Sequence, residues 1–262
     1  MDKKKKRNII ILSVLILVFV LSVGFIIAYF VKQNNAKDEY EEIKEKAKAK
    51  VSVEKEVEEP EEDPQEIYES PIDFEELWKS NEEIYAWIQI PGTEIDYPIA
   101  QRADDDAYYL NHTIEGTEGL PGSIYTEAVN SKEFTDFNTV IYGHNMKNGT
   151  MFAGLHKYED KEFLEENPYV YIYLPEKTLK YQIFATVVFD DRHIMHSFNY
   201  NTTEGRQEFL DELKAVRTME STYDDTVEVG TDSNIITLAT CIGGQPDNRW
   251  LIEAVLIEDG AE

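Results

Sequence analysis

The chain is short of cysteine and of basic side chains. Its 262 residues include one cysteine, Cys241, and 25 lysines and arginines against 52 aspartates and glutamates, which gives a net charge of −27. A single cysteine excludes an intramolecular disulfide framework and a multi-cysteine zinc site. The low content of positive charge argues against a nucleic-acid partner, because phosphate backbones are bound by clustered lysine and arginine.

One long apolar run lies near the N-terminus. It occupies residues 8–31 and follows a basic stretch from Lys3 to Arg7. A run of this length crosses a hydrocarbon core of roughly 30 Å as a helix. A cleavable signal peptide has a shorter apolar region and a small-residue cleavage site, so we favour an uncleaved transmembrane anchor. The positive-inside rule then predicts that residues 1–7 form a cytoplasmic tail and that everything after the anchor is extracellular.

Residues 32–70 are rich in glutamate and lysine and nearly free of large apolar side chains. Such a segment buries too little surface to offset its chain entropy, so we interpret it as a charged extracellular spacer. Its first half can form a solvated helix through Glu–Lys pairs. The part that contains Pro60 and Pro64 is expected to be irregular.

The folded domain is expected to comprise residues 71–262. Asp73 is a candidate N-cap for one or two short helices ahead of Trp87. About eight short β-type runs follow, broken by Gly, Pro, Asn and Asp, and they favour a closed antiparallel or mixed barrel. One helical pattern between residues 202 and 219 precedes the last two runs, with Phe209 on its apolar face. The predicted fold class is mainly β with helices, that is, α+β.

Cys241 ends the β-type run "NIITLATC". A buried structural cysteine is the simplest interpretation of a lone thiol. At a strand end, however, the thiol can act as a nucleophile if positive charge or a base activates it. Arg249, eight residues later, can favour a thiolate and hydrogen-bond an oxyanion, but it cannot act as a base. His144, just past the run "NTVIY", is the best placed of five histidines for acid/base work.

No cofactor is expected. His193 and His196 have an H-x-x-H spacing, but a third and a fourth ligand are missing, so we do not predict a zinc site there. The chemistry assigned to the thiol and its partners needs neither a metal nor an organic cofactor.

The "TLATC" strand end, the arginine after it and the upstream "YGHN" resemble the signature of the sortases, the cysteine transpeptidases of the Gram-positive cell surface. The likeness spans residues 71–262 and is strongest to class B, in "LWKSNEEIYAWIQIPGTEIDYPI", "DDDAYYLNHTIEGTEGLPGSIYTE" and the helix before the last two strands. It implies a sortase-like closed eight-stranded β-barrel with N-terminal helices. It assigns Cys241 as nucleophile, His144 as acid/base and Arg249 as oxyanion and substrate stabiliser. It also implies a peptide groove lined by Tyr142, Thr240, Leu110 and Ala239, the last standing where class B often has serine.

The resemblance further implies a membrane-anchored transpeptidase. It would cleave a C-terminal sorting motif of surface proteins through a thioester on Cys241 and transfer them to a peptidoglycan precursor amine. Three alternatives stay open at this point. The first alternative is a sortase that polymerises pilins through a lysine amine. The second is a thiol hydrolase with the same triad. The third is an inactive adhesion or scaffold domain with a structural cysteine.

Overall fold

The computed structural model describes residues 3–54, 68–216 and 218–260. The chain divides into two compact units, one up to Glu41 and the other from Glu42 onward. The stretch around Pro60 and Pro64, predicted to be irregular, lies outside the described residues. The predicted boundaries between tail, anchor, spacer and catalytic domain stay predictions.

The first helix, α1, runs from Lys3 to Glu54. Its apolar part is long enough to cross a membrane. In the second unit, the ion pair between Glu42 and Lys46 supports the helix at 2.8 Å. Ile43 and Ala47 are buried, and the Ala47 carbonyl accepts the Asp73 N–H at 2.8 Å. This end of the helix therefore packs on the folded domain and is not the solvated helix that its composition predicts.

The second unit is built on a closed, mainly antiparallel sheet. Its strands are β1 Ile84–Gln89, β2 Asp96–Ala100, β3 Ile124–Thr126, β4 Asn138–Tyr142, β5 Tyr169–Tyr173, β6 Thr178–Asp190, β7 Thr222–Tyr223, β8 Ile235–Ile242 and β9 Gln245–Gly260. Eight of these pair in the order β5-β1-β2-β3-β4-β8-β9-β6, and a β5–β6 ladder closes the barrel. The β2–β3 and β4–β8 pairs are parallel. All eight β-type runs of the sequence lie in these barrel strands.

Short helices flank the barrel. The helix α2, Phe74–Ser80, is capped by Asp73, whose carboxylate accepts the Glu76 N–H at 3.0 Å, as its position in the sequence predicts. The predicted helix before the last two barrel strands is present, with Thr202 as its N-cap. That helix is α5, Thr203–Ala215. The remaining helices are α3 Lys161–Glu166 and α4 Ile194–Ser197, with 3₁₀ helices at Tyr108–Leu110 and Phe152–Glu159.

Strands β8 and β9 are buried on both faces. Leu238 and Ile252 are fully buried on the face that points into the barrel. The alternate residues Ala239 and Leu251 belong to an outer apolar cluster. Because successive strand residues point to opposite faces, Cys241 lies on the same outer face as Ala239. That cluster is completed by α4 and α5, through Ile194, Phe209, Leu210 and Leu213.

One buried carboxylate ties the end of α1 to the barrel. Asp96, at the start of β2, accepts hydrogen bonds from Lys44 at 2.8 Å, from Lys48 at 2.6 Å and from the Trp87 indole at 2.7 Å. Burial raises the pKa of the Asp96 carboxyl, but these three hydrogen bonds outweigh burial and hold the pKa below its usual value. The carboxylate is therefore charged in the folded protein and joins the helix to the sheet.

Candidate active site

Strand register brings the thiol and the arginine side by side. In the antiparallel β8–β9 pair, Cys241 lies directly opposite Arg249, and the register shifts just after the cysteine. Directly opposed residues of an antiparallel pair have Cβ atoms about 4.5–5.5 Å apart. The thiol is exposed rather than buried, which argues against the interpretation of Cys241 as a core residue.

The histidine reaches the same end of the sheet on the other side of β8. Strands β4 and β8 run parallel, with Tyr142 paired to Ala239, and the Gly143 N–H continues the ladder to the Ala239 carbonyl at 3.2 Å. His144 is two residues past Tyr142, and Cys241 is two residues past Ala239. The two candidates therefore leave neighbouring strands at the same level.

The His144 imidazole is oriented by a main-chain carbonyl. Its Nε2 lies 2.7 Å from the carbonyl oxygen of Leu110. A carbonyl oxygen can only accept, so Nε2 carries the proton and Nδ1 is left for exchange with a ligand. The histidine's own carbonyl accepts the Phe152 N–H at 3.0 Å. Ring and backbone are thus both held by contacts outside β4.

Only glycine fits immediately before this histidine. A Cβ on Gly143 would lie 2.5 Å from Cδ1 of Ile124 and 2.7 Å from the Phe152 ring. Both neighbours are buried, so neither can move without disturbing the core. The "YGH" sequence therefore follows from packing under the loop that carries His144.

The Arg249 guanidinium is fixed at one edge. Its Nη1 donates to the carbonyl oxygens of Pro246 at 2.8 Å and Asn248 at 2.9 Å. These two bonds use both protons of Nη1, so the protons on Nε and Nη2 remain for a ligand. A guanidinium held this way loses little freedom when it donates to an anionic ligand, and its oxyanion role stays a prediction.

The residues predicted to line a groove differ in exposure. Leu110 is 39% exposed, whereas Ala239 and Thr240 are buried. The Thr240 hydroxyl donates to the Gly143 carbonyl at 2.7 Å, which ties β8 to the loop before His144. The groove roles of these residues stay predictions, with Leu110 the one most open to a peptide.

Tyr142, the fourth predicted groove residue, packs against Tyr125 with ring centroids 5.4 Å apart. Burial raises the pKa of the Tyr142 hydroxyl, and the negative charge of Glu127 raises it further. Within the described part of the chain this hydroxyl is buried without a hydrogen-bond partner. Its role in the groove likewise stays a prediction.

Two residues that the sequence did not single out contact the main chain of Cys241. The Asn145 side-chain amide donates to the Cys241 carbonyl at 2.9 Å, and Nε2 of His156 lies 3.1 Å from the same oxygen. Nδ1 of His156 is 2.7 Å from a carboxylate oxygen of Glu159. Asn145 does end the "YGHN" stretch, but His156 is 85 residues from the cysteine and carries no spacing signal.

The H-x-x-H pair has other partners. The His193 and His196 rings stack with centroids 4.2 Å apart, and Nε2 of His193 contacts Glu127 at 2.8 Å. Across residues 3–54, 68–216 and 218–260, no group of three or more His, Cys, Asp or Glu side chains is placed to hold a metal ion.

A model of the sortase domain matches residues 88–257. The chain belongs to the sortase family. Sortase B of Listeria monocytogenes is 40% identical over 171 residues, which cover 64% of this chain and 67% of that relative. Sortase B of Staphylococcus aureus is 26% identical over 240 residues, 91% of each chain.

Solved structures agree with this assignment. A Staphylococcus aureus sortase B–substrate complex superposes with a TM-score of 0.71 at 25% identity, covering 87% of this chain and 99% of that chain. The class B resemblance and the α+β closed eight-stranded barrel are confirmed. The protein is a sortase-type cysteine transpeptidase.

Proposed function

We propose that this sortase is membrane-anchored, cleaves a C-terminal sorting motif of surface proteins through a thioester on Cys241 and transfers them to a peptidoglycan amine. The register around β8 carries the proposal, since it places an exposed thiol between Arg249 on one neighbouring strand and the end of the strand that leads to His144 on the other. A nucleophile, a proton carrier and an oxyanion donor are the three groups that acyl transfer through a thioester requires.

In the first half-reaction the proton of the Cys241 thiol passes to His144, and the sulfur attacks the carbonyl carbon of the scissile peptide bond. Negative charge develops on the carbonyl oxygen, where the free N–H groups of Arg249 stabilise it. The C–N bond then breaks, and His144 gives a proton to the leaving amine. The products are a thioester on Cys241 and the released C-terminal segment.

In the second half-reaction an amine attacks the thioester carbon. His144 accepts the amine's proton, the new amide bond forms as the C–S bond breaks, and His144 returns the proton to the sulfur, which restores the thiol of Cys241. Because Nε2 of His144 donates to the Leu110 carbonyl, these proton transfers run through Nδ1. The Leu110 contact holds the ring in one orientation throughout the cycle.

The anchor proposal rests on α1. Its apolar part satisfies the length and composition of a membrane span, and the lysines and Arg7 before it favour a cytoplasmic N-terminus. We place residues 1–7 in the cytoplasm and residues 8–31 in the membrane. Residues 32–70, as a spacer, and residues 71–262, as the catalytic domain, then lie outside the cell.

The test is a peptide panel. The full chain in detergent is incubated with sorting-motif peptides, with and without oligoglycine or cell-wall stem-peptide amines, and mass spectrometry follows the mass of the enzyme and the products. We expect an acyl adduct on Cys241 and an amine-dependent ligated product, and neither with Cys241→Ala. An adduct on the Cys241→Ala enzyme would refute the assignment of Cys241 as the nucleophile.

The same assay separates the alternatives. Product that forms equally with and without amine, and is only hydrolysed peptide, would indicate a thiol hydrolase. Ligation that requires a lysine side chain of a pilin-type peptide would indicate polymerisation. A thiol that reacts with neither peptides nor a thiol-directed probe would favour the inactive scaffold.

A further inference from the structure

The parallel ladder between β4 and β8 changes from main-chain to side-chain hydrogen bonding at Cys241. Its last main-chain bond runs from the Gly143 N–H to the Ala239 carbonyl. In a regular parallel ladder the next acceptor is the carbonyl two residues on, which is that of Cys241. The donor to the Cys241 carbonyl is instead a side chain, the amide of Asn145, at 2.9 Å. The backbone of Asn145 forms a separate bridge with Met151.

His156 completes this contact in either protonation state. Its Nδ1–H donates to Glu159 at 2.7 Å, and its Nε2 lies 2.9 Å from the Asn145 amide nitrogen and 3.1 Å from the Cys241 carbonyl oxygen. A neutral imidazole accepts the second N–H of Asn145 at Nε2. A charged imidazole donates from Nε2 directly to the Cys241 carbonyl. The carbonyl is held through His156 in both cases.

The histidine is itself supported. Its side chain is 21% exposed and stacks on Trp250, with ring centroids 6.1 Å apart. The Trp250 indole donates to the Leu155 carbonyl at 2.9 Å in a buried contact. Trp250 follows Arg249 directly, so the turn that carries His156 is fixed to the strand that carries the arginine.

Beyond the cysteine the chain has little other support. The register shifts after Cys241, and a Cβ on Gly243 or Gly244 would meet nothing within 4 Å. Strand pairing on the β4 side has ended at this point as well. Strand β9 supports the nucleophile on one side through the Cys241–Arg249 pair, and on the β4 side its main chain is held by the side chains that bind its carbonyl.

We propose that Asn145, His156 and Glu159, here called the carbonyl clamp, position the nucleophile of this sortase. Asn145 and His156 bind the main-chain carbonyl of Cys241, Glu159 holds His156, and together they keep the sulfur aligned with His144 and Arg249. The inference rests on the proposed function of Cys241. The three are positioning residues, since Asn145 and His156 contact the carbonyl and Glu159 acts through His156. A displacement of about 1 Å at a reacting group can cost on the order of 100-fold in rate.

The test compares His156→Ala, His156→Gln and Lys157→Ala in the full chain in detergent, with the peptide and amine that the wild type uses best. We expect His156→Ala to lower kcat by about 10- to 100-fold with KM within about twofold, because the clamp acts on the reacting group and not on peptide binding. Glutamine can donate to the carbonyl and accept from Asn145, so His156→Gln should recover to within about threefold of wild type. Lys157→Ala changes the neighbouring exposed residue and should match wild type.

Hydrogen–deuterium exchange of the same proteins without peptide gives a substrate-free measurement. His156→Ala should speed exchange in the segment from Ala239 to Gln245 and leave the rest of the barrel unchanged, and His156→Gln should restore protection. Unchanged exchange, or a kcat loss that glutamine does not rescue, would overturn the clamp. If the wild type turns over no peptide, the proposed function fails, and exchange alone then decides on the clamp.

Discussion

Replacing Glu253 with glutamine should stabilise the folded domain increasingly as the pH rises above 5. Glu253 is fully buried on β9. Burial raises the pKa of its carboxyl from 4.5 to about 8, although a hydrogen bond with Thr237 acts in the opposite direction. The Thr237 hydroxyl lies 2.8 Å from Glu253 and 3.0 Å from the Asn138 side-chain oxygen. A neutral acid can donate to this hydroxyl, which then donates to Asn138.

The direction in which folding stability changes with pH follows from proton linkage. Between its unfolded and folded pKa values, Glu253 is protonated in the folded state and ionised in the unfolded state, so the folded state loses stability as the pH rises. Each pH unit in this window costs about 1.4 kcal/mol. The wild type should therefore lose up to about 4 kcal/mol from this group between about pH 5 and pH 8. Glutamine has no ionisable group, and its amide can still donate to Thr237.

Urea unfolding of residues 42–262 at several pH values measures this effect. The free energy of unfolding of E253Q should be close to that of wild type near pH 5 and exceed it by up to about 4 kcal/mol near pH 8. The matched control is E258Q on the same strand, where the exposed Glu258 pairs with Lys180 and should contribute no more than about 1 kcal/mol. A constant difference between E253Q and wild type across the range would refute the reasoning.

Three further substitutions test other parts of the structure. Asp96→Asn should lower the free energy of unfolding by about 1–3 kcal/mol, because it weakens the hydrogen bonds from Lys44, Lys48 and Trp87. Thermal melts of residues 42–262 would show this as a lower Tm. Gly143→Ala should reduce kcat/KM at least about 10-fold by displacing His144, whereas Gly230→Ala, where a Cβ has open space, should not; equal activities would refute the packing argument. Tyr142→Phe should leave stability unchanged or raise it by up to about 1 kcal/mol, since it removes a buried hydroxyl without a described partner; a clear loss would reveal a hidden hydrogen bond.

Local patterns were sufficient for the barrel strands and the caps. Short β-type runs bounded by turn residues mark each barrel strand, and Asp73 marks a helix start, because these signals act between near neighbours. The β1–β5 pair and the parallel β4–β8 pair join distant segments and leave no local trace. The buried end of α1 escaped prediction for a related reason: composition counts the many Glu and Lys residues, whereas packing depends on the few apolar ones, Ile43 and Ala47.

The candidate site likewise contains some residues that sequence patterns mark and others that they do not. Cys241, His144 and Arg249 stand out because each lies at the end of a β-type run of the sequence and has the chemistry of acyl transfer. Asn145 and His156 act on a main-chain carbonyl, which every residue has and no sequence pattern marks. Their contact with Cys241 becomes visible only when the register of β4 and β8 is known.

The bond from Thr240 to the Gly143 carbonyl spans 97 residues of sequence. Contacts of such high sequence separation form late, since the entropy of closing a long loop is lost before the contact is gained. A chain in which β4 and β8 have not yet paired therefore keeps Cys241 apart from His144, and the proposed acyl transfer cannot begin until they have paired. Recovery of activity during refolding should consequently coincide with the structural phase in which β4 and β8 pair.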